Sequence, residues 1–72
     1  MAANQREILL SDVENAIATL SCKIYNYSKI GKPTVDFSQR VTALLNYQWL
    51  LCNYDVDSCD IDCIRCAYDR LK

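Results

Sequence analysis

The chain has 72 residues, with no His, one Gly, one Pro and five Cys, and its eight basic and nine acidic side chains leave a formal charge of −1. Without His there is no Ser–His or Cys–His nucleophile and the commonest metal ligand is missing, so neither a catalytic residue nor a cofactor is expected. At 51% apolar and 24% charged the composition is that of one globular domain, residues 1–72, and not of a disordered chain.

No stretch approaches the roughly 18 apolar residues that a membrane span requires. The opening Met1-Ala2-Ala3-Asn4-Gln5-Arg6-Glu7 lacks the basic-then-apolar order of a secretory leader. Five Cys is an odd number, and four of them fall in the last 21 residues. That distribution fits free thiols in a reducing cytoplasm better than a secreted disulfide framework.

The first segment, about 5–29, repeats Leu9, Val13, Ala16, Ile17, Leu20, Ile24 and Tyr27 at three- and four-residue steps. At about 100° per residue these fall on one helical stripe. Glu7, Ser11, Glu14, Asn15, Cys22, Tyr25 and Lys29 occupy the other face. Gly31, followed by Pro33, is placed to stop the helix.

The second segment, about 36–53, can be capped by Thr34 or Asp36. One seam holds Phe37, Val41, Leu44, Leu45, Gln48, Leu51 and Cys52. A second seam, Ala43, Tyr47, Leu50 and Tyr54, lies roughly 130° away at 100° per residue. Trp49 sits on a flank. In a bundle of three close-packed helices the directions to the two neighbours differ by only about 60°, so part of the second seam is surplus to the fold.

The third segment, about 58–71, has Asp57 or Ser58 as its N-cap, with Asp60 and Asp62 at the positive end of the helix dipole and Arg70 and Lys72 toward the other. Ile61, Ile64, Ala67, Tyr68 and Leu71 form its core stripe, and Cys59, Cys63 and Cys66 form a narrower stripe beside it. No segment alternates apolar and polar residues as a strand does. Three helices with short connections predict an all-α, antiparallel three-helix bundle.

The cysteine spacing carries one chemical question. Cys59-x3-Cys63-x2-Cys66 repeats the spacing by which radical S-adenosylmethionine enzymes hold a [4Fe–4S] cluster. Here it lies in a helix of a chain too short for that barrel, so the parallel is dismissed. A four-thiolate zinc site from Cys52, Cys59, Cys63 and Cys66 needs converging C-x2-C pairs, and only Cys63-x2-Cys66 provides one. Packing of small apolar thiols into a helix–helix contact is the expected use of these residues. A metal or redox module is the alternative, with Cys52 and Cys59 as the redox pair.

Asp55, Asp57, Asp60 and Asp62 fall within eight residues with no base among them. Asp55-x-Asp57 opens like a calcium loop, but Cys59, Asp60 and Cys66 stand where that loop needs an oxygen ligand, Gly and Glu. The Asp-rich turn is therefore read as helix capping, or as a patch that docks on a basic protein surface. An acidic third helix would also make a poor recognition helix for nucleic acid, and the scattered basic residues form no stripe.

Tyr25, Tyr27, Tyr47, Trp49, Tyr54 and Tyr68 are many large amphipathic rings for 72 residues. Such rings concentrate at interfaces. The sequence thus points to a protein-binding module, an inhibitor or adaptor of the sort that viruses, phages and mobile elements use to block a host machine. Its partner-binding residues are expected to be Tyr25, Ala43, Tyr47, Trp49, Leu50, Tyr54, Asp55 and Asp57. The Ala43–Tyr47–Leu50–Tyr54 seam is the expected contact of a homodimer.

Overall fold

The computed structural model describes residues 4–71. It contains α1 (Gln5–Lys29), α2 (Val35–Asn53) and α3 (Ser58–Leu71), and no strand among the described residues. This is the expected all-α three-helix bundle. Met1 to Ala3 and Lys72, part of the expected 1–72 domain, lie outside the described residues.

Cross-helix contacts fix the directions. Arg6 near the start of α1 donates to the Leu51 carbonyl near the end of α2, while Tyr27 near the end of α1 meets Phe37 near the start of α2. α1 and α2 are therefore antiparallel. Asp12 pairs with Arg65, and Tyr68, one turn further along α3, shares a cavity with Thr19 and Lys23. α3 thus runs alongside α1 in the same direction.

The helix ends are built by local chemistry. Asn4 Oδ1 accepts from the Glu7 amide at 2.8 Å and caps α1. At the other end Gly31 adopts φ 74°. Its amide donates to the Ser28 carbonyl at 3.2 Å, and the Lys32 amide donates to that of Tyr27 at 2.9 Å. This pair of bonds is a Schellman stop, which needs a left-handed residue at the position Gly31 fills. The Lys32 ammonium lies 5.6 Å from the Tyr27 ring centre, so a cation–π contact stands where an apolar contact usually closes the motif. Thr34 precedes α2, but its side chain makes no capping bond. For α3, Asp57 Oδ1 accepts from the Asp60 amide at 2.9 Å.

Leu9, Val13, Leu20, Leu44, Leu51 and Ile64 are the buried core. Leu10, Ile17, Phe37, Val41, Tyr47, Val56, Ile61, Tyr68 and Leu71 pack around it. The α1–α2 contact is by far the more extensive, and α3 touches each of the other helices over a smaller area. α3 is also short: 14 residues against 25 in α1, or about 21 Å against about 37 Å at 1.5 Å per residue. It ends within about a turn of the level of Lys23. The remainder of α1 and the start of α2 form a two-helix tip, closed by the Tyr27 and Phe37 rings edge to face at 5.0 Å. The molecule is accordingly elongated, 43 × 22 × 19 Å.

Two expectations about packing are overturned. All five cysteines are exposed, so the thiols of α3 do not fill a helix contact. Ile61, Ile64, Tyr68 and Leu71 define the inward face, and Cys59, Cys63 and Cys66 lie roughly 150° round the helix from it. Among the described residues no further layer covers that side. Leu45 and Cys52, assigned to the main seam of α2, are exposed as well. They lie roughly 100° from the line through Leu44 and Leu51, too far round for α1 to reach.

Candidate protein-binding surface

The exposed rings gather where α2 ends. The Tyr54 amide donates to the Leu50 carbonyl at 3.1 Å, and its backbone then turns extended, at φ −119° and ψ 149°. That turn folds the Tyr54 ring back against Trp49, edge to face at 5.1 Å between ring centres. Asn53 Nδ2 donates to the Trp49 carbonyl at 2.9 Å and closes the last turn of the helix. Trp49 and Tyr54 are each 53% exposed, and Leu45, one turn before Trp49, is 47% exposed. Two aromatic rings locked against each other at the surface present apolar area with little side-chain freedom left to lose.

The structure distributes the expected partner-binding residues unevenly. Tyr47 packs against the core. Ala43 and Leu50 are half-buried. Of the Ala43–Tyr47–Leu50–Tyr54 seam, Tyr54 alone is exposed. Tyr25 is exposed but lies toward the two-helix tip, with the Lys29 ammonium 4.7 Å from its ring centre. Asp57 is taken up by the α3 cap, whereas Asp55 lines a groove.

That groove, about 330 Å³, opens between the end of α2, the 54–57 connection and the first turns of α3. Leu50, Val56 and Ile64 supply apolar surface, Cys63 and Tyr54 complete the wall, and Asp55 and Asp60 add carboxylates. The sequence reading names Leu50, Tyr54 and Asp55 but misses the rest of the lining. Val56 carried the signal: a lone apolar residue between two aspartates, in a connection where no helical stripe requires it. It is half-buried and packs on the core, tying the connection down.

α2 has no basic residue of its own in its last turn. Arg6 Nε, from α1, supplies a positive charge at its carbonyl end by donating to the Leu51 oxygen. This holds the end that carries Trp49 in register with α1, as a cation at a helix C-terminus should. Further along, Gln48 Nε2 donates to Glu14 Oε1 at 3.4 Å and Arg65 pairs with Asp12 at 3.3 Å.

Cys52, Cys59, Cys63 and Cys66 do not converge. Among the described residues no three Cys, Asp or Glu side chains are gathered as a metal-binding group. Nor, among the described residues, is any helix long and apolar enough to cross a membrane. Protein-family models, curated proteins and solved structures include no match to this chain. The surface is thus defined by its own geometry: a rigid aromatic pair beside an acidic, apolar-lined groove on an all-α bundle.

Proposed function

We propose that the chain is a cytoplasmic protein-binding module that acts by stoichiometric contact, as an inhibitor or adaptor, without chemistry of its own. The carrying observation is the exposed Trp49–Tyr54 pair at 5.1 Å, extended along α2 by Leu45. Contact energy at protein interfaces concentrates in buried Trp and Tyr anchors surrounded by a polar rim, and the neighbouring Asp55 supplies one flank of such a rim. Small chains made by viruses, phages and mobile elements commonly block host machines in this way, and the exposed aromatic pair supports that role here. Five free thiols suit a reducing cytoplasm.

The test is capture from extract of the source cell on immobilised protein, followed by titration of the captured partner. Trp49→Ala should weaken that partner at least about 30-fold, the equivalent of about 2 kcal/mol for a central aromatic anchor, with the helical spectrum unchanged. Equal affinity of variant and wild type refutes the assignment of this face.

A further inference from the structure

The two ends of the molecule differ in sign and in shape. The two-helix tip carries Lys23, Lys29, Lys32 and Arg40 against one acidic residue, Asp36, whose carboxylate is paired with Arg40 at 3.2 Å. Each ammonium rests near an aromatic ring: Lys23 is 5.8 Å from the Phe37 ring centre, Lys29 4.7 Å from Tyr25 and Lys32 5.6 Å from Tyr27. The three most exposed large apolar side chains lie here too, Tyr25 at 62%, Ile30 at 65% and Val35 at 65%. The tip is therefore a convex knob, apolar and cationic.

The far end is its complement. The groove beside α3 is concave, with an apolar lining from Leu50, Val56 and Ile64 and carboxylates from Asp55 and Asp60. About 330 Å³ is near the small end of ligand-pocket volumes, about 300–1,000 Å³, so it admits a side chain or two and not a whole helix. The 19 residues of α2 set knob and groove about 28 Å apart at 1.5 Å per residue. That is several times the Debye length of about 8 Å at physiological salt, so the two charges do not cancel each other within one chain.

We infer that the groove is a docking site for the tip of a second copy of this chain. Ile30 enters the apolar groove, and Lys29 and Lys32 face Asp55 and Asp60. Such a contact is heterologous: each copy offers a free groove at one end and a free tip at the other, so association continues head to tail instead of stopping at a symmetric pair. It shares Tyr54 and Asp55 with the aromatic face but leaves Trp49 and Leu45 outside the contact, so Trp49→Ala reads the proposed function and the tip and groove variants below read the docking.

Sedimentation of the whole chain tests this. At about 1 mM protein and about 20 mM salt the weight-average mass should exceed twice the 8.3 kDa of one chain and keep rising with concentration, and at about 0.5 M salt it should return to one chain, because surface charge is screened there. Lys29→Gln with Lys32→Gln disables the tip, and Asp55→Asn with Asp60→Asn disables the groove, neither placing a reversed charge that the other could pair with. Either double variant alone should remain a single chain with wild-type helical content. Their mixture should form a one-to-one pair and grow no further, since one retains an intact groove and the other an intact tip. A wild type that stays a single chain at low salt overturns the inference. So does a mixture no larger than its components while the wild type associates. A closed dimer indifferent to salt overturns it as well, and assigns self-association to the α2 seam.

Discussion

Replacing Gly31 with Ala isolates the turn on which the α1–α2 hairpin depends. Gly31 holds φ 74°, a left-handed conformation that costs an ordinary L-residue about 1–2 kcal/mol. A Cβ built there meets nothing within 4 Å, so no tertiary clash adds to the penalty. Against it, Ala restricts the unfolded chain more than Gly does, which returns about 0.4–1 kcal/mol. The net expectation is a loss of about 1 kcal/mol. Urea unfolding followed by circular dichroism should show a lower midpoint at unchanged slope, and thermal unfolding a fall of about 4–8 °C per kcal/mol for a domain of this size. Gly31→Asn should lose less than Gly31→Ala, because Asn visits the left-handed region more readily. An Ala variant as stable as wild type, or more stable, refutes the Schellman stop in solution.

Leu44 is fully buried, and Leu44→Ala should cost about 2–5 kcal/mol in the same urea assay; a near-neutral result means that the core is assigned wrongly. Arg6→Met keeps much of the apolar stem but removes the donor to the Leu51 carbonyl, and should cost about 1–2 kcal/mol, with Arg6→Lys recovering part of it. Asp12→Asn breaks the pair with Arg65, whose side chains are 39% and 34% exposed. Its effect should stay below about 1 kcal/mol and shrink further in high salt. Because all five cysteines are exposed, a thiol reagent should modify five per chain in native buffer. If Cys59, Cys63 or Cys66 reacts only after denaturation, the placement of α3 is contradicted.

Helix positions were legible because three-and-four spacing is a local property of the chain. The predicted α1 and α3 limits match those observed, and α2 starts one residue earlier, at Val35. The same spacing shows which residues share a face but not whether anything covers that face. Cys59, Cys63 and Cys66 are spaced like a packed seam, yet they point away from both neighbours because Ile61 and Ile64 on the same helix bury more apolar area and win the inward position. Tyr47 and Tyr54 read as members of one seam, but Tyr54 lies beyond the last helical residue and its extended backbone sends the ring to Trp49 instead. Long-range polar ties such as Arg6 to Leu51 span 45 residues and leave no local pattern at all. Tyr25 was legible as exposed because it stands among the polar residues of α1.

The short reach of α3 divides the molecule into parts of unequal cooperativity. α1 and α2 share most of the interhelical contact, so α3 should detach as a sub-global unit at a lower free energy than full unfolding. Native-state amide exchange would then show α3 amides opening ahead of those in the middle of α1. One wall of the groove belongs to α2 and the other to α3, so whatever occupies the groove clasps the two units together. An occupant that binds only the closed form raises the opening free energy by RT ln(1 + [L]/Kd), about 2.7 kcal/mol at a hundredfold excess over Kd. Exchange protection across Ser58–Leu71 thus becomes a gauge of groove occupancy, read along a helix that lines the groove through Asp60, Cys63 and Ile64.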